Sequence, residues 1–192
     1  SSDLPEELDP LDVMKEQING KRYGHEIGTR AVYFALKNEE GEMVATLGGG
    51  LLPLRNADGS MRKEAIFMVF YVATTPELRK YGLAKELMIS AYEHARNEAK
   101  SRNLDFIGSA GECTWKSRSF WERMGWRRIY KEEEDSSTLT EIPYVQPALD
   151  FDLKTGNPTE DAGEAPEHFM VHLFDRCREQ SPQLGATLTS IV

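Results

Sequence analysis

The chain has 192 residues, enough for one domain or one domain with an extension, and its 40% hydrophobic and 29% charged composition suits a soluble fold with a real core. No run of about 18 apolar residues occurs, so no membrane partner is expected. A net charge of −9 argues against nucleic acid, whose binders carry a basic stripe and a high isoelectric point.

The opening SSDLPEELDP lacks both the basic start and the apolar stretch of a signal peptide, and with no initiator methionine a processed start is expected. PLDVMKEQI, residues 10–18, reads as a short amphipathic turn or two. Ala31 to Lys37 is rich in β-formers, Glu40-Gly41 makes a turn, and Met43 to Leu47 resumes as a second strand. Gly48-Gly49-Gly50 weakens that strand and predicts a bulge or a close backbone approach. Asp58-Gly59 marks a turn. EAIFMVFYVAT, residues 64–74, is the most apolar run; both of its faces are apolar, which predicts a strand in the middle of a sheet.

A helix follows. Leu83, Ala84, Leu87, Met88, Ala91 and Ala95 form one stripe at helical spacing, and Lys85, Glu86, Glu93, Arg96, Asn97 and Lys100 fill the other side. LDFIGSA is a short buried strand. SRSFWERMG is a short helix closed by Gly125, and WRRIYKEE is a strand. TEIPYVQPALDFDL is extended, with Pro143 and Pro147 marking an edge. KTGNPTEDAGEAP is a loop. PEHFMVHLFDRCREQ reads as a helix with Pro166 in its first turn. The tail SPQLGATLTSIV has no clear period, and no internal repeat is visible. The order gives an α/β fold with a mixed sheet.

Cys113 and Cys177 are too few for a disulfide scaffold and form no C-x-x-C pair, so a reducing, cytoplasmic setting is expected. His168 and His172 stand four apart, a spacing that puts two imidazoles on one helix face. The intervening HFMVH lacks the glutamate of H-E-x-x-H, and a partly exposed helix face explains the pair without a metal. No metal is expected. Charge is uneven. Glu132 to Glu167 holds eleven acidic residues against Lys154 alone, whereas Pro76 to Lys131 holds twelve basic against seven acidic. The basic block suits a small anion; both blocks also read as solvated surface.

The segment TTPELRKYGLAKELM poses the main local question. Thr75-Pro76-Glu77 would start a helix well: a threonine cap, proline at the first position, an acid in the first turn. At 100° per residue, however, the stripe from Leu83 to Ala95 covers about 0–140°, and Leu78 falls near 220°. Gly82 inside a helix would also cost about 1 kcal/mol against alanine. The helix is therefore expected to begin near Gly82. A strand that turns tightly into a helix through glycine presents unpaired N–H groups and the positive end of the helix dipole, which is an anion site. Arg79 and Lys80 add full charges beside it. The pattern is neither a Walker loop nor G-x-G-x-x-G.

YVATTPELRKYGLAKEL resembles the acyl-CoA-binding segment of the GNAT acetyltransferases, with R-x-x-G-x-A at Arg79, Gly82 and Ala84. SRSFWERMGWRRI resembles that family's second signature, a short helix with an aromatic pair, Phe120 and Trp121, ending in Gly125-Trp126 before a strand. The similarity runs from about Val32 to Tyr130. It implies a mixed, mostly antiparallel sheet, splayed between its two central strands and flanked by helices. Residues 1–137 would be the core and 138–192 a strand, loop and helix extension of the same domain.

The resemblance also implies acetyl-CoA or another acyl-CoA as co-substrate, with its pyrophosphate on the backbone of Arg79, Lys80, Tyr81, Gly82, Leu83 and Ala84. Pantetheine would pair with Tyr71, Val72 and Ala73, and Thr114, Lys116 and Ser117 stand where the family often touches CoA. Helix capping explains these three nearly as well. Catalysis would be direct transfer to an amine, with a base, a backbone N–H at the thioester oxygen and an acid for the thiolate. Where the family often carries a tyrosine acid this chain has Trp121, which cannot supply a proton. Another group serves, or the thiolate leaves unaided. Glu112 is the first candidate base, with a surface carboxylate as its plainer role. Glu64 and Tyr71 follow it. Cys113 is a candidate acid, with a small buried core residue as its plainer role. Trp115, Phe120 and Trp126 read as core. The acidic block suggests a cationic amine as acceptor, small molecule or peptide. The differing reading is a sensor or scaffold that binds acyl-CoA without turnover, and a monomer and a homodimer are both compatible.

Overall fold

The computed structural model describes residues 30–114, 116–132, 139–141, 144–146 and 165–174. Two β-rich runs form the first hairpin: β1 (Ala31–Lys37) and β2 (Met43–Arg55), antiparallel, joined by the turn at Glu40-Gly41. β2 runs through the glycine triplet. The long apolar run becomes β3 (Met61–Thr74), antiparallel to β2. Opposite the glycines the register slips: Gly48 pairs Tyr71 and Gly49 pairs Val69. The bulge predicted there exists, and its extra residue is Phe70 on the partner strand.

A single 3-10 turn, Pro76–Leu78, follows β3, and then the main helix α1 (Leu83–Ser101). α1 buries Leu87, Met88, Ala91, Ala95 and Ala99. The three alanines bring its axis close to the sheet, where Leu47, Leu51, Phe67 and Val69 form the other half of this core. The opposite face of the sheet has its own cluster, Leu54, Ile66, Ile107, Ala110 and Phe169.

β4 (Asp105–Cys113) lies parallel to β3, and every other described pairing is antiparallel. A short α2 (Arg118–Arg123) ends at Gly125 with φ 89°. The strand expected over WRRIYKEE is split. β5 (Arg127–Arg128) joins the main sheet, while β6 (Tyr130–Glu132) pairs with β7 (Leu139–Glu141). β8 (Tyr144–Gln146) falls within the segment expected to be extended. With the last strand, β9 (Ala165–Leu173), the strand order is β1-β2-β3-β4-β9-β5, which puts the most apolar strand inside the sheet.

The helix expected from Pro166 is wrong. Residues Ala165–Leu173 form β9, which pairs with β4 along one edge and with β5 along the other, while its first residues, Ala165 to Glu167, pair with β8. The run FMVHL is apolar on both faces, so periodicity does not separate strand from helix. The slot beside β4 decided it, because a strand there satisfies backbone groups on both sides. Pro166 lies near the start of the strand, beyond the β4 ladder, which stops at His168, and opposite Val145 of β8. The expectations for residues 1–29, Trp115, the loop 154–164 and the tail from 175 lie outside the described residues. Among the described residues no helix is long and apolar enough to cross a membrane.

Candidate active site

β3 and β4 pair in parallel from Glu64 and Asp105 to Val69 and Gly111, and there they part. β3 continues along β2 as far as Thr74, and β4 continues along β9 as far as Cys113. Between them opens a splay with β-strand backbone on either side. The bulge at Phe70 sits at its start and turns the strand.

Beyond β3 the chain makes the short 3-10 turn Pro76–Leu78 and breaks. Arg79 is extended, Lys80 has φ 76°, and Gly82 caps α1 at φ 85°. That left-handed turn is what glycine permits without cost. It aims the first amides of α1 outward. Glu86 N–H closes the first helical bond on the Gly82 carbonyl, and among the described residues no acceptor meets the amides of Lys80 to Lys85. A helix end needs partners for such groups. Tyr81 is 76% exposed, and the Arg79 Nε lies 3.5 Å from the Thr74 carbonyl, tying the loop to the strand end. The donor set fits a diphosphate: a row of amides, a helix dipole and two cations.

Glu112 lies within β4, which runs on to Cys113; it stands immediately past the last β3–β4 pair and is half-buried. Gly111 faces α1: a Cβ there would sit 3.4 Å from the Val69 Cβ and 3.5 Å from the Trp126 ring. Alternation sends Glu112 to the opposite face. Glu64 is displaced from this region. It stands at the other end of the paired stretch, opposite Asp105, and the Arg62 guanidinium 2.9 Å away holds its carboxyl below the usual carboxylate range. A base needs the reverse shift.

Cys113 is 3% exposed and directs its thiol at the Met170 Sδ, 3.0 Å away. Thr114 and Ser117 bond each other: the Thr114 Oγ1 accepts the Ser117 N–H at 3.3 Å, and the Ser117 hydroxyl donates to the Thr114 carbonyl at 3.2 Å. They shape the entry to α2. Trp121 is buried, its ring 4.6 Å from that of Trp126 and 5.0 Å from that of Phe120. Tyr71, Val72 and Ala73 lie on the β3 side of the splay.

The two histidines do different work on β9. His168 Nδ1 lies 2.8 Å from the Glu141 carboxylate, which also pairs with Arg128. His172 Nδ1 lies 3.3 Å from the Tyr92 hydroxyl, which meets the buried Ser109 hydroxyl at 2.6 Å. Burial pushes the Tyr92 hydroxyl above its usual range; the Ser109 bond and the nearby Trp126 indole oppose that. This network joins α1, β4 and β9. No local signal in the sequence connects residues so far apart.

The model of the acetyltransferase (GNAT) family matches residues 4–126. The chain belongs to the GNAT family. It is an acyl-CoA-dependent N-acetyltransferase, with acyl-CoA as co-substrate and an amine as acceptor. Its fold is shared with Naa20 of Chaetomium thermophilum, solved with a bisubstrate analogue, at a TM-score of 0.50 and 14% identity over 77% of this chain and 68% of that one. A putative acetyltransferase from Agrobacterium tumefaciens is 16% identical over 91% and 97% of the two chains, at a TM-score of 0.44. NAA60 of Arabidopsis thaliana with acetyl-CoA is 11% identical over 76% and 77%, at 0.47. A search of curated proteins finds no match.

Proposed function

We propose that this GNAT enzyme transfers acetyl from acetyl-CoA directly to a primary amine of a small molecule or peptide, and that a cationic acceptor is preferred. The observation that carries this reading is the break at Arg79 to Gly82, which points acceptorless amides of α1 outward beside the splay. The diphosphate binds Arg79 to Ala84, and pantetheine adds along Tyr71 to Ala73 as a further strand would. The thioester then reaches the parting of β3 and β4.

Glu112 takes the proton from the amine nitrogen as the C–N bond forms at the thioester carbonyl carbon. A backbone N–H of β3 in the splay meets the developing oxyanion. The C–S bond breaks and the electron pair leaves on sulfur. Its proton comes from Cys113, the thiol at this end of β4, or from water, since a thiolate is a good leaving group without help. The acidic block after Glu132 favours a cationic acceptor. Cys113 as a reduced thiol suits a cytoplasmic setting.

The test measures free thiol released from acetyl-CoA on adding a polyamine, an aminoglycoside, an amino acid or a peptide. Release with cationic amines is expected. Glu112→Gln should lower kcat by about 10²–10⁴-fold with little change in acetyl-CoA KM. A variant that keeps full kcat removes Glu112 from the role of base.

A further inference from the structure

We propose that Tyr33 and Tyr71, leaning together over Gly48, form an aromatic clamp that holds a cationic group of the acceptor next to the reacting amine. The proposal rests on the acetyltransferase reading above and specifies its acceptor side.

The three residues are in line across three strands: Tyr33 pairs Gly48, and Gly48 pairs Tyr71. A Cβ at Gly48 would lie 2.8 Å from Cε1 of each tyrosine, so both rings occupy the space a side chain would take. Their centroids are 5.9 Å apart with planes 38° from parallel. An alanine here would drive both rings away, so glycine is the floor of the pair.

Strand alternation fixes their face. Val32, Phe34 and Val72 pack against the core under α1, and Phe34 meets the His94 ring of α1 edge-on at 5.7 Å. Tyr33 and Tyr71 alternate with these residues and point to the other face. Glu112 points there too, across the splay. α1 fills its own face with apolar side chains, and the anion site lies at its N-terminus. An acyl group coming through the splay from that side meets its acceptor on the tyrosine side.

Tyr71 lies just past the bulge, on the stretch of β3 that has left β4. The clamp is thus at the rim of the splay with a carboxylate opposite. The reacting amine must be neutral to attack, and Glu112 serves that nitrogen. The faces of two phenols carry negative quadrupole potential, which attracts a second ammonium on the same acceptor. The acceptor class is therefore a diamine or polyamine, or a lysine-like chain, rather than a simple monoamine.

The test compares spermidine with butylamine in the thiol-release assay on the full chain. Wild type should favour spermidine in kcat/KM. Tyr33→Leu should raise the spermidine KM about tenfold and leave the acetyl-CoA KM unchanged, while Tyr33→Phe, which keeps the ring, stays within about twofold of wild type. Gly48→Ala should act as Tyr33→Leu does; Tyr33→Leu decides if the glycine variant does not fold. Equal use of butylamine and spermidine by wild type overturns the clamp and leaves acetyl transfer standing. So does a Tyr33→Leu enzyme with unchanged selectivity, or one whose acetyl-CoA KM rises as much as its spermidine KM. No thiol release from any amine sinks the acetyltransferase reading, and the clamp with it.

Discussion

Arg62 and Glu64 show how far one ion pair reaches. They sit two apart on β3, on one side of the strand, and their side chains bond at 2.9 Å. The hydrogen bond from Arg62 is the main cause of the lowered Glu64 pKa, opposed by a smaller burial penalty. A depressed carboxylate stabilises the fold above its unfolded value of 4.5, and the contribution is lost as pH falls through the lower folded-state value. Both side chains keep part of their exposure, so the contribution is below about 1 kcal/mol. Arg62→Gln should flatten the fall of stability below about pH 5, followed by urea midpoints at a series of pH values. A parallel curve would show that the pair contributes nothing. At this scale the sequence disclosed residue types but not pairings. Glu64 stood on the apolar central strand and read as a possible base; only its place away from the splay, tied to Arg62, set it aside.

At the scale of elements, α1 and β3 were legible because each carries a long, unmixed pattern. The register mismatch of Leu78 with the stripe foretold the break before Leu83, and the structure has one short turn there and then φ 85° at Gly82. A side chain in that left-handed conformation costs about 1–2 kcal/mol. Gly82→Val should therefore open or tilt the amide row, raising the acetyl-CoA KM about tenfold while the acceptor KM holds. An unchanged acetyl-CoA KM would mean that the row does not bind the diphosphate. β9 was illegible for the opposite reason: its run of mixed apolar residues is short and lacks a period. The glycine triplet announced a bulge, but which strand would carry the extra residue depended on the partner.

For the whole molecule, the parallel pair β3–β4 within an otherwise antiparallel sheet creates the splay. A ligand that binds only the folded state raises stability by about 2.7 kcal/mol at 100 times its Kd. For a chain of this length that is a rise in Tm of about 5–10 °C on adding acetyl-CoA. No shift with saturating acetyl-CoA would refute the binding site as a whole, independently of any acceptor.

By itself the sequence determined the local pieces. Residues 31–37, 43–47 and 64–74 read as strands, 83–100 as a helix that begins at a glycine, and two spaced motifs resembled one family. Such features depend on neighbours within a few residues, and local pattern encodes them. The tertiary structure decided the placement of β9 between β4 and β5, the parting of β3 from β4 after Val69, and the meeting of Tyr33 with Tyr71 over Gly48. Those outcomes arise from competition among distant segments for the same backbone partners and the same buried space, and no short stretch of sequence carries that information.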